Sequence, residues 1–177
     1  MAIAVASLPG CLAHQTFSFG SPDLEAAFYR LKETAPPKGR EAIERLEEDD
    51  TVIIHLVKGR VSQFESRGAE TAFAFSKDAK PACMMRHPWS IGIPWNRNFD
   101  IIYDEELAEQ AWEFPNPVEA QLYHELIGHV ARILDDPSST RDPKCETEPY
   151  AIDRENEYRQ YNRISPAPQS RRCRRGK

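Results

Sequence analysis

No stretch of this sequence is apolar for long enough to cross a membrane, which takes about 20 consecutive apolar residues. Cysteine is sparse. Cys11, Cys83, Cys145 and Cys173 are widely and irregularly spaced, with no CxxC pair, which argues against a cysteine-ligated structural zinc. An even count permits disulfides, and Cys145–Cys173 is a pairing that an oxidising compartment would allow, but spacing alone assigns no connectivity. A basic excess is also lacking. The 23 Lys and Arg are outnumbered by 28 Asp and Glu, for a net charge of −5, and this counts against nucleic acid as the main partner. Positive charge is concentrated only at the end, in Arg171, Arg172, Arg174, Arg175 and Lys177, which reads as a solvated tail. Met1 to Cys11 is apolar and ends Leu8-Pro9-Gly10-Cys11, superficially like a lipoprotein cleavage site. It is short and has no basic lead, so it does not read as a signal peptide.

What is present suits one soluble globular domain: 177 residues, 40 % apolar and 29 % charged, with no internal repeat. Residues 1–20 read as a loop or short strand, 21–165 as the folded domain and 166–177 as a disordered basic tail. Ser21-Pro22-Asp23 opens a helix, with Ser21 as cap and Leu24, Ala27, Phe28 and Leu31 as its apolar face, ended by Pro36-Pro37. A second amphipathic segment covers Glu41 to Leu46, and the acidic Glu47 to Asp50 reads as a solvated turn. Thr51 to Val57, Thr71 to Phe75 and Phe99 to Tyr103 read as strands. Lys77 to Asn98, with Pro81, Pro88 and Pro94, reads mostly as loop, with Ser90 to Ile93 as a further short strand. A short helix is expected from Asp104 to Trp112.

Asn116-Pro117 then begins the best-defined helix, with Glu119 three residues past the cap and a broad apolar face from Val118 to Leu134. Asp135-Asp136-Pro137 stops it. Thr147-Glu148-Pro149 starts another helix that runs to about Tyr161. On the first of these lies His124-Glu125-Leu126-Ile127-Gly128-His129. Zinc takes neutral imidazoles and carboxylates and, where it catalyses, keeps one position for water. A helix commonly offers its histidines four residues apart, as in HExxH. Here the spacing is five. Four residues advance an α-helix so that side chains diverge by about 40°, but five diverge by about 140°. Both imidazoles can reach one ion only if the helix is locally widened, as in a π-bulge. Gly128 is the natural position for that, since glycine tolerates unusual dihedrals. His14, His55 and His87 read as packing or surface residues, and Trp89 and Trp95 as core or loop anchors.

The segment His124-Glu125-Leu126-Ile127-Gly128-His129 closely resembles the HELLGH signature of dipeptidyl peptidase III, whose two histidines bind zinc and whose glutamate is the base. In that family a further glutamate ligand follows in an E-E-x-x-A-E motif, and Glu148-Pro149-Tyr150-Ala151 offers a matching E-x-x-A. A second resemblance covers about Asp100 to Arg163. With Tyr103-Asp104, the helix after Pro117 and then Glu148-Pro149-Tyr150-Ala151-Ile152-Asp153-Arg154-Glu155-Asn156-Glu157-Tyr158-Arg159, it is similar to the small metallopeptidase domains of bacterial secreted effectors and polymorphic toxins. These include the NleD-like group and domains carried on type VI secretion proteins.

The resemblance implies Zn2+ held by His124, His129 and Glu148, with Glu146 and Glu155 as competing third ligands. It implies Glu125 as general base on a zinc-bound water. Glu148 and Glu155 are seven apart and share a helix face, so Glu155 is alternatively a group that orients a histidine. Tyr158, or Tyr150, would donate a hydrogen bond to the oxyanion. The implied fold is a zincin-like α+β single domain, a small mostly antiparallel sheet packed against the metal-binding helix and a second, glutamate-bearing helix. The implied function is zinc-dependent peptide-bond hydrolysis by a secreted bacterial effector or toxin acting in a target cell, in periplasm or cytosol. Its partners would be a protein or peptide substrate and a cognate immunity protein or secretion carrier, with no nucleic acid and no membrane span. The alternatives are a zinc-binding or partner-binding domain without catalysis, and a metal-free scaffold in which the histidines only pack.

Overall fold

The structure is a computed structural model and describes residues 16–59, 82–86, 97–104, 117–136 and 148–167; of 82–86 only the backbone is described. The chain enters through strand β1 (Phe17–Phe19), helix α1 (Pro22–Thr34), helix α2 (Pro37–Glu48) and strand β2 (Ile53–Lys58). Strands β3 (Ala82–Arg86) and β4 (Asn98–Tyr103) follow. A long helical rod then runs through α3 (Val118–Tyr123), a π-helix (His124–Ala131) and α4 (Arg132–Asp135), and helix α5 (Glu148–Tyr161) comes after it.

The four strands form one sheet in the order β1-β2-β4-β3. β1 pairs parallel with β2 and β2 parallel with β4, and only the edge strand β3 is antiparallel, to β4. The mostly antiparallel sheet expected from the sequence is therefore corrected to a parallel one with an antiparallel edge. The cause lies in the connections. Neighbouring parallel strands need a long crossover, usually helical, and α1 with α2 supplies it between β1 and β2. Residues 1–20 read from sequence as a loop or short strand, and the strand among them, Phe17–Phe19, is the first of that unit.

β3 lies inside the proline-punctuated segment expected to be loop. The expected strands at 71–75 and 90–93 and the expected helix at 104–112 lie outside the described residues, apart from Asp104. Pro36-Pro37 does not simply end α1. Pro37 is the first residue of α2, where a missing N–H costs nothing. Ser21 caps α1 as expected, its Oγ accepting from the Leu24 N–H at 3.3 Å. α3 begins at Val118 with Pro117 at the cap position and no side-chain cap bond.

The sheet's inner face alternates with its outer one. In β2, Ile54 and Leu56 are fully buried, and Phe99 and Ile101 of β4 lie in the same layer. Onto them pack Phe17, Phe28 and Leu31, with the Phe17 and Phe28 rings 4.5 Å apart. Leu122, Leu126, Ile127 and Val130 from the long rod complete the core. Burial of such side chains stabilises by about 1.5–3 kcal/mol each, so the rod that carries both histidines is anchored along its apolar face.

α5 ends in a left-handed turn. Arg163 has φ 58°, the Arg163 N–H donates to the Gln160 carbonyl at 3.1 Å, and the Ile164 N–H to the Arg159 carbonyl at 2.8 Å. These two bonds are the Schellman pattern, which consumes carbonyls left open at a helix end. The chain then folds back along α5, and the Ala167 N–H donates to Asn156 Oδ1 at 2.8 Å. The remainder of the expected basic tail, 168–177, lies outside the described residues.

Candidate metal centre

His124 and His129 can reach one ion only on a helix wider than α, and the backbone is a π-helix from His124 to Ala131. Its i→i+5 bonding brings a residue five positions on to about one turn away. The two imidazoles accordingly lie together, ring centroids 5.0 Å apart and tilted 70° to one another. Both are buried, at 0 % and 3 % exposure. The His124 N–H itself meets the carbonyls of Ala120 and Gln121, four and three residues back.

The π-helix spans Gly128, where the sequence places the widening, and a second constraint acts at the same residue. Arg163 alone among the described non-glycine residues has positive φ, and the backbone of Gly128 is likewise not left-handed. What excludes a side chain at 128 is α5. A Cβ there would lie 2.4 Å from Ala151 Cβ and 2.5 Å from Ala151 Cα. The glycine lets two helices touch, and the contact sits one turn from Glu148.

That crossing delivers the carboxylate. Glu148 Oε2 is 3.5 Å from His129 Nε2 and 3.7 Å from His124 Nε2. One ligand-type atom from each of His124, His129 and Glu148 falls within 4.8 Å of the others. Two imidazole nitrogens and a carboxylate oxygen, converging from buried and half-buried positions, fit the donor chemistry of zinc with a position left over. Glu125, 3 % exposed, brings Oε1 to 3.9 Å from His124 Nε2, on the same side as Glu148.

Of the competing third ligands, Glu146 lies outside the described residues. Glu155 is on the other side of His124, with Oε2 3.1 Å from Nδ1. Its second oxygen is bound by Gln121 Nε2 at 3.1 Å and by Arg159 Nε at 2.8 Å. Arg159 NH2 adds an ion-pair contact at 2.7 Å. Gln121 and Arg159 carry no role in the sequence reading, yet both are 1 % exposed. The available signals were the i, i+4 pairing of Glu155 with Arg159 and the place of Gln121 one turn before His124.

Tyr158 does not join this group. It lies in the core with its ring 5.3 Å from that of Tyr123, and its hydroxyl is 2.8 Å from Thr34 Oγ1. Burial pushes its ionisation above the usual tyrosine range, so it acts as a neutral hydrogen-bonding group. The expected oxyanion role passes to no residue by this placement. Tyr158→Phe should cost about 0.5–1.5 kcal/mol of stability, the worth of one intramolecular hydrogen bond, and leave the His124–His129–Glu148 group undisturbed. Denaturant unfolding alongside a zinc titration compared with wild type checks both parts. Tyr150 is half-buried, its ring beneath Arg132 Cζ at 4.4 Å and Arg154 Cζ at 5.3 Å.

No helix among the described residues is long and apolar enough to cross a membrane. Compared with known protein-family models, curated proteins and solved structures, the chain matches none.

Proposed function

We propose that this chain is a zinc-dependent peptide hydrolase, with His124, His129 and Glu148 as metal ligands and Glu125 as general base. The observation that carries the reading is the convergence of those three side chains on a π-helical turn beside a buried glutamate. A π-helix at functional positions is a recurrent feature, and a structural histidine pair would have no need of one.

Zinc held by this set supplies Lewis acidity, polarising a carbonyl oxygen and acidifying water. The remaining chemistry belongs to the chain. Glu125 follows His124 directly, so the same turn of backbone fixes both. Its carboxylate takes a proton from the attacking water and returns it to the leaving amine, the two halves of general acid–base catalysis of a peptide bond. Glu148 and Glu125 approach from different helices. The Gly128–Ala151 contact therefore sets the distance between ligand and base.

The biological setting we propose is that of a secreted bacterial effector or toxin, with a protein or peptide substrate and a cognate immunity protein or secretion carrier. What supports that setting is the resemblance of the motifs at Tyr103-Asp104, His124 to His129 and Glu148 to Arg159 to those of such domains.

Protein purified without added zinc is expected to carry about one zinc ion per chain by elemental analysis. Chelation should remove it together with activity on a quenched-fluorescence peptide library, and His129→Ala should not retain it. A properly folded wild-type chain that holds no zinc and takes none up at micromolar concentration would sink the proposal.

A further inference from the structure

The side of His124 facing away from Glu148 is occupied by a buried charged cluster that the proposed reaction does not use. Glu155 is 1 % exposed and presents Oε2 to His124 Nδ1 at 3.1 Å. Its other oxygen meets two separate donors. Gln121 comes from α3, one turn before His124, and Arg159 from α5, one turn after Glu155. Arg159 is itself 1 % exposed, and its NH1 donates to the Ser165 carbonyl at 3.1 Å. The chain reversal after α5 is thus tied to the cluster. The Ile164 N–H returns to the Arg159 carbonyl, and Ala167 is pinned by Asn156.

A buried ion pair of this kind is weak as a source of stability, because desolvation offsets most of the attraction. It is strong as a geometric device. A carboxylate gripped by a guanidinium and an amide cannot swing, and an imidazole set against it has one ring orientation. The distances record that orientation: Nδ1 faces Glu155, while Nε2 faces Glu148 and Glu125.

We propose that Glu155 is a positioning residue for the metal centre. Clamped by Gln121 and Arg159, it holds the proton on His124 Nδ1 and leaves the Nε2 lone pair directed at the space between His129 and Glu148. The inference rests on the proposed zinc site for its consequence, though not for its geometry. Arg159 and the 162–167 turn act through Glu155.

The test uses the full chain. Metal-free wild-type protein, 15N-labelled at histidine, should show His124 as the Nδ1–H tautomer, assigned by difference from His124→Gln. The double variant Glu155→Leu/Arg159→Leu removes both charges together, so that neither is left buried alone. Judged folded by circular dichroism, it should lose that tautomer preference and bind zinc about 10–100-fold more weakly, as loss of a carboxylate behind a ligating histidine typically does. Glu155→Gln, which keeps the shape and one acceptor, should fall between. If the double variant does not fold, Glu155→Gln and the wild-type tautomer decide the matter. An Nε2–H tautomer in the metal-free wild type overturns the proposal, as does a folded variant with zinc affinity within twofold of wild type. A wild type that binds no zinc yet keeps His124 as Nδ1–H overturns the zinc reading and leaves the positioning role intact.

Discussion

Glu125→Gln is expected to retain zinc and lose hydrolysis by about 10²–10⁴-fold, the usual contribution of a positioned acid–base group, or roughly 3–5 kcal/mol of barrier. The side chain is 3 % exposed, and an amide of nearly the same shape fills its place without repacking. The amide cannot accept a proton from water at neutral pH, so the loss falls on turnover. The ligands His124, His129 and Glu148 are untouched, so elemental analysis should still find about one zinc per chain. Activity that survives in a folded, zinc-loaded Glu125→Gln protein would remove Glu125 from the mechanism. A zinc-loaded wild type that cleaves nothing would point to the non-catalytic zinc-binding domain instead.

Gly128→Ala is expected to disrupt both the fold and the site. It would place a Cβ 2.5 Å from Ala151 Cα, and that neighbour is backbone that no rotamer change can clear. α5 must back away from the π-helix, or the π-helix must shift. Overpacking of this kind costs about 1–3 kcal/mol, readable by denaturant unfolding. The larger consequence is local. Glu148 lies one turn from Ala151 on the same helix, so a displaced α5 withdraws the carboxylate now 3.5 Å from His129 Nε2. Zinc affinity should fall by at least tenfold in the protein that remains folded, measured by competition with a chelating dye. Wild-type affinity and stability in Gly128→Ala would show that the close crossing does not set the site. The same variant separates the two reasons for a glycine here. If an unusual dihedral were the reason, Ala151→Gly could not help. If contact is the reason, Ala151→Gly in the Gly128→Ala background should recover part of the loss by removing the facing Cβ.

The local features were legible because they depend on near neighbours in the chain. Ser21 announces its cap, the apolar positions from Leu24 to Leu31 announce a buried helix face, and the run from Val118 to Leu134 announces the rod that carries the histidines. The five-residue spacing of His124 and His129 allows a shared ion only on a widened helix, since an α-helix would turn the imidazoles apart. The candidate donors that the fold brings together were equally legible, being the histidines and glutamates of that segment and the next helix.

Strand direction was not legible. A short β-branched run such as Ile53 to Val57 pairs in either sense, and only the α1–α2 crossover makes it parallel to Phe17–Phe19. The roles of the glutamates were undecided for a related reason. Glu148 and Glu155 share a face of α5, and their spacing says nothing about which end of that face meets the histidines. The crossing at Gly128 and Ala151 sets Glu148 against both Nε2 atoms and Glu155 against Nδ1. It also sends Tyr158, one turn further on, past the centre and into the core beside Thr34. Sequence by itself determined the periodicities, the candidate donors and the condition that a shared ion needs a π-turn, because these follow from bonding within a few residues. Tertiary structure alone decided which carboxylate faces the metal position, which one backs the histidine, and that Arg159 and Gln121 hold it there. Those assignments depend on where two helices touch, and that is fixed by a contact between residues 23 positions apart in the chain.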